Sequence, residues 1–125
     1  MKKALVVFLV LGSLVACNSG SKTDTNTTNS GPDISQNPDY QKGLAIEAKN
    51  NCKTCHNIDS KLTGPSFREI ANKYADQPDT IVGHLANKII AGGNGVWGEV
   101  PMLPHPELSK PDAESIVRYI LLLKK

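Results

Sequence analysis

The residues Cys52-Lys53-Thr54-Cys55-His56 have types and a spacing that can do chemistry. Two thiols three positions apart, followed at once by an imidazole, make C-x-x-C-H, the cue for covalent c-type haem attachment. Each thiol can add to one vinyl group, and the adjacent imidazole is then brought to the iron. Two other chemistries compete for a C-x-x-C. A thioredoxin-type dithiol wants a strand, helix, strand context, and half of a zinc site wants a second cysteine or histidine pair. No window of the chain alternates apolar and polar residues as a strand does, and Cys17 is the one cysteine left over. Neither competitor has its context.

Haem iron takes an axial ligand on each face, and His56 supplies one. The candidates for the other are Met102, His84, His105 or an open position. Met102 is the one methionine besides Met1, and it sits in Pro101-Met102-Leu103-Pro104, where restricted backbone helps hold a weak thioether on iron. A lone methionine more often fills a core. Beside the haem motif and inside this loop, Met102 is the expected metal ligand together with His56. His84 falls on an amphipathic helical stretch, and His105 follows Met102 too closely to swing independently.

Helices must position these groups, and an all-α fold is expected. Asn37-Pro38 reads as a cap and first turn of a helix running to Asn50. Ser66 to Tyr74 fits a second helix. Pro78 to Ala91 fits a third, with Ile81, Leu85 and Ile89 on one face and Gly92-Gly93 as its stop. Ser109-Lys110-Pro111-Asp112 opens a fourth, in which Ala113, Ile116, Val117, Ile120 and Leu121 share an apolar face. Between the third and fourth lies the loop Gly93 to Leu108.

Composition bounds the function. A chain of 125 residues has room for one modest domain, and 39% hydrophobic with 5% aromatic residues is thin for a core that no cofactor helps to fill. The net charge of +2 comes from Lys2 and Lys3, since from residue 17 onward 12 basic residues face 12 acidic ones. That argues against nucleic acid as a partner. No phosphate loop, carboxylate pair or nucleophile elbow speaks for an enzyme or a small-molecule substrate.

Residues 1–16 have the layout of a signal peptide: two lysines, an apolar run from Ala4 to Leu11, then small residues before Cys17. Leu14-Val15-Ala16-Cys17 resembles the lipobox of bacterial lipoproteins, which implies cleavage before Cys17 and its lipidation. Several acyl chains meet the requirement for stable anchoring. Residues 17–37 then form a polar tether with a reach on the order of 25 Å, and residues 38–125 form the domain.

That domain resembles a class I cytochrome c, in particular the small bacterial single-haem carriers of the cytochrome c8 or nitrite-reductase-donor type. The likeness rests on Gly43, the C-x-x-C-H motif, Gly64-Pro65-Ser66-Phe67, Gly95-Val96-Trp97-Gly98, Val100-Pro101-Met102 and Tyr119. It implies about four helices wrapped around one covalently attached haem c. It further implies that the Pro65 carbonyl accepts the ring N–H of His56, that Trp97 and Lys88 meet haem propionates, and that Gly43 and Tyr119 mark a close helix crossing. Two residues depart from the pattern. Glu47 stands where many relatives have an aromatic, and His105 where close relatives often have an asparagine near the methionine sulfur.

The expected function is a lipid-anchored electron carrier on the periplasmic side of a membrane, passing single electrons from a membrane donor complex to a terminal oxidase or reductase. The alternatives are an open-site haem sensor or peroxidase-like protein, and a fixed electron-entry subunit of a larger complex. A monomer is expected. From residue 38 to 92, seven basic residues face six acidic ones, so docking is expected to rely little on electrostatic steering.

Overall fold

The computed structural model describes residues 33–125. The signal segment, Cys17 and the tether as far as residue 32 lie outside the described residues. The chain packs from Ile34 onward, before the expected start at 38: Ile34 touches the main core, and its carbonyl accepts the Asn37 N–H at 3.0 Å.

Four α-helices follow in the expected order. Helix α1 (Pro38–Lys49) begins at Asn37, whose side-chain oxygen accepts the N–H of Asp39 at 2.8 Å and of Tyr40 at 3.4 Å. Pro38 fits the first turn, where its missing N–H would have had no partner. Helix α2 (Phe67–Tyr74) is opened by a capping box. Ser66 Oγ accepts the Glu69 N–H, and the Glu69 carboxylate accepts the Ser66 N–H at 2.7 Å. Helix α3 (Thr80–Ala91) starts two residues later than the sequence suggests. Its approach is a tight turn in which Pro78 and Asp79 carbonyls accept from residues three ahead. Helix α4 (Lys110–Leu121) is capped by Ser109 and has Pro111 in its first turn.

Helix α4 is the platform of the fold, packing against α1, α2 and α3. Ile116, Tyr119 and Ile120 join Phe67, Ala71 and Leu108 in one apolar cluster, while Ala113 and Val117 meet Val82 and Ala86 of α3 in a second. The expected stripe is buried except at Leu121, which is half-buried. Among the described residues there is no strand, and the isolated β-bridge pairs Gly93 with Met102. No helix among them is long and apolar enough to cross a membrane.

The crossing of α1 and α4 is as close as the resemblance implies. A Cβ at Gly43 would stand 2.3 Å from the Ser115 carbonyl oxygen and 2.3 Å from Tyr119 Cβ. Tyr40 meets the Tyr119 ring edge-on, with centroids 5.2 Å apart. Gly43→Ala is therefore expected to force the helices apart and to destabilise the protein by about 1–3 kcal/mol or more. Gly83→Ala, in α3 where a Cβ meets nothing closer than 3.8 Å, is expected to be neutral or stabilising. Thermal unfolding of both variants measures the contrast.

Candidate functional site

Helix α1 is capped at its end by Asn50, and Asn51 then takes a left-handed conformation with φ of 54°. That residue reverses the chain into a short 3-10 turn, Cys52–Thr54. The His56 N–H and the Cys55 N–H both donate to the Cys52 carbonyl, at 3.0 and 3.1 Å. The turn thus holds the two cysteines and the histidine in one compact unit. Cys55 is exposed and Cys52 half-buried. Burial first, then the nearby Glu47 carboxylate, push the Cys52 thiol up to about 11. A thiol held protonated at neutral pH is the opposite of what a dithiol nucleophile needs.

His56 is buried, and its Nδ1 lies 2.7 Å from the Pro65 carbonyl oxygen. A carbonyl can only accept, so Nδ1 carries the proton and Nε2 keeps its lone pair for a metal. This is the contact that the resemblance assigns to Pro65. Two neighbours, not singled out for this purpose in the sequence, fix the ring further. Phe67 stacks on it with centroids 5.5 Å apart and planes 16° from parallel. At Gly64 a Cβ would stand 2.5 Å from His56 Cε1, so only glycine lets the chain pass this close. The Gly64 N–H also donates to the Cys55 carbonyl at 2.9 Å.

Met102 is half-buried and tied by backbone. Its N–H donates to the Gly93 carbonyl at 2.8 Å, and the Gly93 N–H returns the bond at 3.1 Å. The His105 N–H donates to the Ile89 and Ile90 carbonyls, both at 3.1 Å, in the last turn of α3. The His105 ring turns to Glu107, with Nδ1 3.0 Å from Oε1. His84 is exposed on α3. Lys88 is exposed too, and its side chain reaches back along Gly93, with Nζ 3.7 Å from where a Cβ there would stand.

Trp97 lies at the tip of the same loop. Its ring meets Tyr74 edge-on at 6.3 Å, and Lys73 Nζ stands 4.7 Å over it, so the end of α2 clasps the loop. A cleft of about 400 Å³ runs between this tip and the segment beside His56, lined by Lys61, Leu62, Thr63, Gly64, Pro65, Trp97, Gly98, Glu99 and Val100. The walls are apolar where Leu62, Pro65, Trp97 and Val100 face it. Two thiols on one turn, an imidazole with a free Nε2 and a thioether on a tethered loop are the donor types that a haem and its iron need; of the expected site residues, Pro65 and Trp97 line the cleft.

Fold and site together define a small helical haem-binding protein. The Cytochrome c family profile matches residues 40–124, and the chain belongs to that family. It is similar to cytochrome c-552 of Nitrosomonas europaea, 46% identical over 84 residues that cover 67% of this chain and 81% of that one. Cytochrome c-551 of Azotobacter vinelandii is 44% identical over 67% of this chain and all of its own length. The crystal structure of the Nitrosomonas europaea cytochrome c552 aligns with a TM-score of 0.61 at 43% identity, over 65% of this chain and 99% of that one. Members of the family bind haem c covalently and are electron carriers, not enzymes.

Gly64→Ala is expected to push the imidazole off its present position and to lower stability by about 1–3 kcal/mol. The optical spectrum of the haem-loaded variant, compared with that of the wild type, reads the first effect, and thermal unfolding reads the second.

Proposed function

We propose that this chain is a lipid-tethered, periplasmic one-electron carrier whose haem is bound through Cys52 and Cys55, with His56 and Met102 as axial ligands. The observation that carries the reading is the 2.7 Å contact of His56 Nδ1 with the Pro65 carbonyl. It fixes the tautomer and orientation that a metal-bound imidazole needs, and it raises the basicity of Nε2. Bound haem would supply an iron centre that takes one electron from a donor and gives it to an acceptor. The chain's own residues do the rest. His56 and Met102 would both hold the iron, which would leave no vacancy for substrate, and the thioether would favour ferrous iron and so a high potential. Trp97 and Lys88, at the tip and the root of the Met102 loop, are the expected donors to the haem propionates.

The tethering part of the reading rests on the sequence before residue 33. Cleavage before Cys17 and its acylation place the domain on a leash of polar residues, and confinement near the membrane raises encounter frequency with membrane-bound redox partners. With near-balanced charge on the domain, docking relies mainly on apolar contact around the exposed residues Leu62, Val100 and Leu103.

Two variants separate the claims. Met102→Ala is expected to abolish the weak sulfur-to-iron charge-transfer band of the ferric protein and to open the iron to added ligands; an unchanged spectrum rejects the ligation. Cys17→Ser is expected to move the protein from the membrane fraction to the soluble fraction, or to leave it unprocessed. Wild-type protein recovered without lipid rejects the tether and leaves the haem site intact.

A further inference from the structure

The Met102 loop is tied at its neck by backbone, but its tip is held by side chains. The paired Gly93 and Met102 bonds close the neck, and the Gly95 N–H donates to the Gly98 carbonyl at 2.9 Å across the tip. Both sets of bonds stay inside the loop. Among the described residues, no backbone hydrogen bond joins residues 94–101 to another element. Burial does little there either, since residues 93–101 are all exposed and Val96 and Val100 are more than half exposed.

The contact that leaves the tip is the Trp97 indole on the end of α2. Tyr74 meets it edge-on, with centroids 6.3 Å apart and planes at 74°. Lys73 Nζ stands 4.7 Å from the Trp97 centroid and 5.6 Å from that of Tyr74, so one cation faces both rings. A cation is drawn to the negative face of a ring, and an edge-on pair brings the positive edge of one ring to the negative face of the other. All three attractions pull the same two elements together. Their place in the fold gives them weight. Helix α2 begins beside His56, at Ser66 and Phe67, and the loop ends at Met102. Helices α2 and α3 each rest on α4, so the Trp97 contact links the two sides of the site directly, away from that shared floor.

We propose that Lys73 is a positioning residue for Trp97: with the Tyr74 ring as its seat, its ammonium holds the indole against α2 and so fixes the loop wall of the cleft that Gly64 and Pro65 face. For what the indole then meets, the inference rests on the reading of Trp97 as a propionate donor. For the position of the loop, it rests on the two rings and the cation alone.

The test is amide hydrogen exchange, resolved by residue with NMR on the full holoprotein, because exchange reads local opening. The Gly95 N–H reports the loop tip, the Ala75 N–H, bonded to the Ala71 carbonyl at 2.8 Å, reports the end of α2, and the Tyr119 N–H reports α4. Lys73→Met keeps the apolar stem and removes the charge. It is expected to speed exchange at Gly95 by about two- to fivefold, the factor that a cation over an exposed ring contributes, with Ala75 and Tyr119 little changed. The indole N–H resonance, a single signal because the chain has one tryptophan, is expected to shift. Lys73→Arg is expected to restore both, since a guanidinium also stacks on aromatic faces. Tyr74→Leu, which removes the seat, is expected to speed Gly95 as Lys73→Met does. Lys73 also lies in the last turn of α2, where a cation favours the helix end. If that is its whole role, Lys73→Met speeds Ala75 at least as much as Gly95, and this result overturns the proposal. A Gly95 rate that neither variant moves, or that Lys73→Arg does not restore, overturns it too. Haem that can be extracted after denaturation rejects the haem attachment, and the exchange rates still decide the role of Lys73.

Discussion

The geometry of the site depends on one hydrogen bond, from His56 Nδ1 to the Pro65 carbonyl. It decides which ring nitrogen is free, and four consecutive residues are arranged around it. Gly64 passes against the ring, Pro65 supplies the oxygen, Ser66 caps α2 and Phe67 stacks on the imidazole. The cap gives this run its rigidity. Ser66 bonds hold the Glu69 carboxyl below its usual range, so the box is fully formed at neutral pH and weakens only as acid protonates Glu69. Phe67 then links site to core, because its other neighbour is the Tyr119 ring at 6.1 Å.

Helix α4 explains why a chain with so few aromatics can hold that run in place. One side of it closes on α1 at the Gly43 crossing and on α2 through Phe67, and the other closes on α3 through small residues, Ala86 and Ala113. The end of the chain adds polar ties. Arg68 reaches the Leu123 carbonyl and Asp59, and Lys110 donates to the Gly83 carbonyl at 2.7 Å. These ties join α2 to the chain before it and to the residues after α4, and α4 to α3, so the apolar contacts set the distance and the polar ones the register.

The helices were legible because their signals are local. Caps at Asn37, Ser66 and Ser109 and the stop at Gly92 stand in the sequence as side-chain types, and the boundaries agree to within one residue except at Pro78, where a tight turn delays α3. The contact of His56 with its Pro65 partner was legible through spaced motifs. Less visible was everything set by long-range packing: the stack of Phe67, the clasp of Tyr74 and Lys73 on Trp97, and the burial of Glu47. The last had a signal, since Glu47 shares a helical face with Tyr40 and Gly43. A charged residue on a buried face contradicts the usual partition of side chains, and only the close crossing with α4 shows that the face has no room for the carboxylate to reach water.

The Met102 loop shows how a weak donor can be made useful. A thioether on a free chain would give up conformational freedom on binding, at about 1–2 kcal/mol per residue of backbone fixed. Here much of that ordering is supplied by the chain's own backbone bonds. The paired bonds with Gly93 fix residue 102 from one side, and the His105 N–H fixes the chain three residues on against the end of α3. Gly92 permits the arrangement, since its φ of 70° turns the chain and a Cβ there would stand 2.6 Å from the Met102 carbonyl oxygen. The prolines on either side limit the remaining freedom, but the backbone pairing sets the position. In the proposed ligation, the strength of the sulfur bond therefore depends on how firmly α3 ends, and a change at Gly92 acts on the iron without touching it.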